Sequence, residues 1–248
     1  MPFQSNAALS DIVSRAGAVA PALPLQGLTV LAVEDSLYAC DALRLMCYRS
    51  GARLRRAETL EAAGAHLRLY RPDVVLIDLG LPDGRGEGLI RRLALGSGPT
   101  PVILGMSGDP AGRQAALAAG AAGFLEKPFS SLSAFHHCIL AHLPDRVALS
   151  GVLEGAVIRP DPLAMRDDLA KAARLISAGP DERQRRYLAG FVLGLARSLQ
   201  DSDLAEAAVA AREQAGLPGL VGMLSQRLRE QGGIATSEGA GLDPATWR

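Results

Sequence analysis

Four short apolar runs in this sequence end on side chains that can do chemistry. Leu28–Val33 runs into Glu34-Asp35, Val74–Ile77 into Asp78, Val102–Leu104 into Ser107-Gly108-Asp109, and Gly123–Leu125 into Lys127-Pro128. A lone ionised carboxylate beside a core, as Asp78 is after Val-Val-Leu-Ile, is unfavourable unless a cation or a set of donors meets it. If the runs lie side by side, three carboxylates, a hydroxyl and an ammonium converge. Acids so close repel unless a divalent cation joins them, and hard oxygen ligands with room for water suit Mg²⁺. Mg²⁺ and Lys127 are then the counter-charges of Asp78. Of 26 Lys plus Arg only Lys127 and Lys171 are lysines. A lysine in a chain so rich in arginine marks a place where a planar guanidinium would not serve, which singles out Lys127.

The elements that must bring these residues together follow from the pattern. From 28 to 142 the apolar runs, with a weaker one near Leu54, alternate with amphipathic stretches at 36–49, 58–69, 86–95, 111–119 and 130–142. Strand and helix alternating five times predict an α/β fold, a (βα)5 doubly wound parallel sheet with helices on both faces. In such sheets the C-terminal strand ends line the functional crevice. Residues 1–26 are expected to be a flexible N-terminal extension, and 143–160, with Pro144, Gly151, Gly155 and Pro160, a linker.

The remainder is helical in texture. Asp161-Pro162 opens a helix with Met165, Leu169, Ala172 and Ile176 on one stripe, and Gly179-Pro180 stops it. Further helices are predicted at 181–199, 203–215 and 218–230, and short loops make 161–230 an antiparallel four-helix bundle. Residues 231–248 read as a disordered tail.

Composition bounds the rest. With a formal net charge of +0 and three cysteines, the 248-residue chain shows neither a global basic balance nor a disulfide framework, so Cys40, Cys47 and Cys138 read as core residues in a reducing compartment. No run is long enough to span a bilayer and no leader pattern stands at the start, which leads to the expectation of a cytoplasmic protein without membrane contact.

Taken in order, Glu34-Asp35, the D-x-x-x-P-x-x-x-G block of Asp78, Pro82 and Gly86, Met106-Ser107-Gly108, and "AAGAAGFLEKPF" at 118–129 resemble the receiver domain of two-component response regulators over 27–142. The resemblance implies a flavodoxin-like receiver and a phosphoacceptor role for Asp78, served by a histidine kinase or histidine phosphotransferase. It implies Mg²⁺ on Asp35, Asp78 and the carbonyl of Gly80, with Glu34 acting directly or through water. Ser107 and Lys127 would reach the phosphoryl oxygens, Phe124 holds the aromatic switch position, and the bond to Pro128 is implied to be cis. No enzyme beyond phosphoacceptance and self-dephosphorylation is implied. Phosphoryl transfer needs positioning and charge neutralisation more than covalent help, which agrees with these roles. The interval from Ser107 to Lys127 is shorter than in many receivers, which places the loss near residue 111.

Each motif has a plainer reading. Asp35 or Ser36 can cap the helix that follows, Asp109 the one near Pro110, and Ser107 and Lys127-Pro128 can be ordinary loop and turn residues. The adjacent His136 and His137 point apart on a helix and read as surface residues rather than metal ligands.

For the C-terminal region, the preferred output is a bundle that pairs with a second copy or docks a protein partner. A DNA-binding transcriptional output is the alternative. Residues 151–248 carry 12 Arg plus Lys against 13 Asp plus Glu, no basic stripe, and no recognisable helix-turn-helix, so nucleic acid is not the expected partner. The region lacks histidine, phosphate loops and nucleophile elbows, which argues against an enzyme. "LAGFVLGLARSLQDSDLAEAA", 188–208, weakly resembles histidine phosphotransfer domains with Gly190 where the histidine would stand. The plainer reading gives Gly190 and Gly194 a role in close helix packing.

Overall fold

The computed structural model describes residues 23–96, 100–129, 131–143 and 158–237. Five strands form one parallel sheet in the order β2-β1-β3-β6-β7: β1 (Thr29–Val33), β2 (Arg53–Ala57), β3 (Val74–Asp78), β6 (Val102–Ser107) and β7 (Gly123–Glu126). Every residue of β3 is buried, as its unbroken branched apolar run requires of a central strand covered on both faces. The outer strand β2 instead alternates, with Arg53 and Arg55 exposed, so its apolar signal is weak.

Helices α1 (Leu37–Ser50) and α5 (Leu132–Leu140) cover one face, through Leu43, Met46, Phe135 and Ile139. Helices α2 (Leu60–Leu69), α3 (Gly86–Ala94) and α4 (Gly112–Ala118) cover the other, through Ala63, Leu89, Ile90 and Ala116. This is the predicted doubly wound sheet. Between β3 and α3, where the sequence suggests only a turn, β4 (Gly80–Leu81) and β5 (Gly84–Arg85) pair as a small antiparallel hairpin. The chain then folds back so tightly that a Cβ on Gly86 would lie 2.1 Å from the carbonyl oxygen of Asp78. Only glycine fits there.

Beyond the sheet, α6 (Pro162–Ser177), α7 (Glu182–Leu199), α8 (Ser202–Ala210) and α9 (Leu217–Ser237) share a second core built on Met165, Leu169, Leu188, Val192, Leu204 and Leu220. Asp161, Asp181 and Asp201 cap the first three, Asp181 in a reciprocal capping box with Gln184. Helix α8 ends at Ala210 rather than 215, because the chain turns back on itself. A Cβ on Gly216 would stand 2.2 Å from the carbonyl oxygen of Ala210.

Three boundaries differ from the sequence reading. Leu25, assigned to the flexible extension 1–26, is fully buried in the core under α1 and its N–H bonds to Ser50 O at 2.9 Å. Ile158, assigned to the linker, is buried in that core too. Helix α9 runs seven residues into the segment 231–248 expected to be disordered, since Gly232 and Gly233 weaken helical propensity without breaking the hydrogen-bond ladder. Residues 1–22, 144–157 and 238–248, which hold the rest of the extension, linker and tail, lie outside the described residues. No described helix is long and apolar enough to cross a membrane.

Candidate functional site

In a parallel sheet every strand delivers its C-terminal end to the same edge, and the strand order reverses between β1 and β3. Glu34 and Asp35 leave β1 at this point, Asp78 ends β3 beside them, Ser107 ends β6, and Lys127 follows β7. Four of the five strands thus bring reactive groups to this edge, β1 two of them.

One carboxylate oxygen each from Glu34, Asp35 and Asp78 lies within 4.8 Å of the others, and all three residues are buried. Lys127 Nζ sits 2.8 Å from Asp78 Oδ2 and forms an ion pair with Glu34. The other Asp78 oxygen accepts from the N–H of Gly80 at 3.1 Å. Arg56 donates to the carbonyl oxygens of Glu34 and Asp35 at 3.3 and 3.2 Å. Burial pushes the Glu34 carboxyl above its usual range, Lys127 pulls it back, and the neighbouring Asp78 and Asp35 push it up again. Burial alone would lower the pKa of Lys127, but the carboxylates of Asp78 and Glu34 outweigh it and hold the ammonium firmly charged.

The remaining predicted residues fall around this cluster. Ser107 Oγ accepts from the N–H of Asp109 at 3.0 Å, and Ser107 lines the same cleft as Asp78. Phe124 is buried, with the Arg113 guanidinium 5.2 Å from its ring centre. The Lys127–Pro128 bond is cis. The plainer reading holds for Ser36, which caps α1 through Ala39 N–H, but not for Asp109: α4 has Ala111 at its N-cap without a side-chain cap, and Asp109 Oδ1 accepts from Ala111 N–H at 3.0 Å in the turn before the helix. His136 is not merely a surface residue, since its Nε2 lies 2.6 Å from Ser50 Oγ.

Three participants come from the bundle and were not singled out in the sequence. Lys171 Nζ donates to Asp35 Oδ2 at 2.9 Å and to Asp35 O at 3.1 Å. The Tyr187 hydroxyl donates to the same Asp35 Oδ2. Burial, then the Asp35 charge, pushes the Tyr187 pKa far up, which keeps it a donor. Asp168, fully buried, accepts from Ser36 Oγ at 2.8 Å and from the N–H groups of Leu37 and Tyr38 at 3.0 Å, so a carboxylate of α6 meets the positive end of α1. Signals existed for two of them. Lys171 is the other lysine of the chain, and Asp168 sits beside Leu169 on the buried stripe of its helix.

Helix α7 faces the strand ends across a cleft of about 1600 Å³ lined by Asp78, Ser107, Lys127, Gly190, Gly194 and Arg197. A Cβ on Gly190 or Gly194 would meet nothing within 4 Å, so these glycines open the cleft instead of seating a neighbouring helix. The close-packing reading of Gly190 and Gly194 is therefore set aside.

A doubly wound sheet with paired acids, a strand-end aspartate and a buried lysine on one edge defines an α/β domain with a charged crevice at its switch point. The response regulator receiver domain family model matches residues 30–137. The KDP operon transcriptional regulatory protein KdpE of Escherichia coli K12 is 34% identical over 155 residues, 62% of this chain and 65% of KdpE. The virulence transcriptional regulatory protein PhoP of Shigella flexneri is 32% identical over 101 residues, 40% of this chain and 45% of PhoP. A solved signal receiver domain from Bermanella marisrubri is 30% identical, with the match covering 48% of this chain and 97% of that one and a TM-score of 0.40. Residues 30–137 form a response regulator receiver domain. The chain spans about two thirds or less of the curated relatives it matches, 65% of KdpE and 45% of PhoP.

Proposed function

We propose that the protein is the response regulator of a two-component phosphorelay, phosphorylated on Asp78 by a histidine kinase or histidine phosphotransferase. The observation that carries this reading is the buried Asp78 carboxylate at the switch point, 2.8 Å from Lys127 and open to the cleft. A carboxylate oxygen of Asp78 attacks the phosphorus of a phosphohistidine. A P–O bond forms, the P–N bond breaks, and the imidazole leaves with the electron pair and is protonated. Lys127 then offers its charge to the new phosphoryl oxygens, and Ser107 its hydroxyl.

The donor set fits Mg²⁺: three carboxylates of hard oxygens converge, and Asp35 Oδ1 is buried with no hydrogen-bond partner among the described residues. Asp35 and Asp78 would hold it with the Gly80 carbonyl, Glu34 directly or through water. When bound there, Mg²⁺ supplies charge neutralisation for the incoming phosphoryl group. Replacing Asp78 with Asn should abolish labelling by a cognate kinase or by acetyl phosphate, read on phosphate-affinity gels. Undiminished labelling in that variant would place the phosphoacceptor elsewhere.

The output reading is protein contact through 161–230, with a second copy or another protein as partner; light scattering of the full chain separates the two. The names of KdpE and PhoP favour a transcriptional output as the second reading. Against it, the bundle's Arg183 is bonded to Asp83 O at 2.7 Å and Arg227 to Asp201 at 2.5 Å, which leaves fewer cations for phosphates. A salt-dependent gel shift with the full chain would establish it.

A further inference from the structure

The chain has two lysines, and each pairs with a different part of one cluster of three carboxylates: Lys127 from the receiver with Glu34 and Asp78, and Lys171 from the bundle with Asp35. Asp35 is only 2% exposed, and its charge is met from the bundle side by an ammonium and by the Tyr187 hydroxyl, both on Oδ2. The Lys171 ammonium also takes the Asp35 carbonyl oxygen and lies 5.0 Å from the centre of the Phe191 ring, whose face favours a cation. Such a mount holds a charge in place. Asp168 and Arg183 fix the same two helices to α1 and to the β4–β5 turn.

We propose that Lys171 is a tethered cation standing in for the divalent ion on Asp35, so that docking of the bundle and loading of the metal oppose each other. The proposal rests on the Mg²⁺ reading of the acidic cluster. A divalent ion on Asp35 brings like charge against the ammonium and draws on the same carboxylate, while releasing Lys171 and Tyr187 leaves that carboxylate to the metal. By reciprocity, whatever loads the metal site loosens the bundle, and whatever loosens the bundle strengthens metal binding. The bundle is thus held closed over the unphosphorylated receiver and freed as the site is charged for phosphoryl transfer.

The test is Mg²⁺ titration of the full chain by calorimetry, with hydrogen exchange of α6 and α7 followed with and without the ion. Lys171→Met should bind Mg²⁺ at least about tenfold more tightly than the native chain, since the competent fraction sets apparent affinity. Arg183→Ala, which weakens docking away from the acidic cluster, should shift affinity in the same direction by a smaller factor. In the native chain Mg²⁺ should speed exchange in α6 and α7. If only Lys171→Met alters affinity while Mg²⁺ leaves exchange in those helices unchanged, Lys171 is a mere electrostatic neighbour and the proposal fails. Equal affinities in all three chains overturn it too. Absence of Mg²⁺ binding in every chain, Lys171→Met included, would instead overturn the metal reading beneath it.

Discussion

Lys127 serves as a point charge shared between two carboxylates, Glu34 and Asp78, with only 14% of its side chain exposed. A guanidinium keeps the charge but is larger, planar and fixed in its donor directions. Lys127→Arg should therefore lower the phosphorylation rate at least about tenfold, equivalent to about 1.4 kcal/mol in the barrier. A native rate in that variant, measured with acetyl phosphate, would show that charge alone suffices. The scarcity of lysine made Lys127 legible in the sequence, and the same scarcity applied to Lys171. What hid Lys171 was its setting: no strand end and no neighbouring acid in sequence mark it, because Asp35 is 136 residues away along the chain.

At the scale of elements, strands and helices were legible wherever an apolar period met a clear cap or break. The end of α8 was not, since it depends on how closely Gly216 can approach Ala210. Its start is held by Asp201, which caps α8 and is gripped by Arg227 of α9 at 2.5 and 3.1 Å. The hydrogen bond from Arg227 keeps the Asp201 carboxyl below its ordinary value of 3.8. A depressed carboxyl pKa adds stability that is present above the unfolded value and lost as pH falls through the folded one. Replacing Arg227 with Met should thus lower the melting temperature at pH 7 by about 2–4 °C, for a loss of about 1 kcal/mol. The gap between the two chains should narrow below about pH 3. Thermal melts followed by circular dichroism at pH 7 and pH 3 check both, and a gap that widened in acid would contradict the assigned pair.

For the whole molecule, receiver and bundle are joined through buried groups rather than by a tether alone. Tyr38 of α1 packs against the bundle core, and Asp168 accepts three hydrogen bonds from the start of α1. Hydrogen bonds to a charged group contribute roughly 1.5–3 kcal/mol each in favourable cases, and their loss here is confined to the junction. In the absence of metal, calorimetry of the full chain should show a single unfolding transition. Asp168→Ala should split it or broaden it, with the bundle melting first. Two separate transitions in the native chain would mean that the junction is too weak to couple the halves.

The sequence by itself determined the alternation of strands and helices, the buried central strand ending on Asp78, and the match to the receiver family, because periodicity, caps and short motifs are local properties of the chain. Tertiary structure alone decided that Leu25 belongs to the receiver core and that Gly190 and Gly194 open onto the cleft beside Asp78. It alone decided that Asp168, Lys171 and Tyr187 close over Asp35. These are pairings between distant segments, and no local pattern encodes which buried charge a remote helix will meet when two cores pack together.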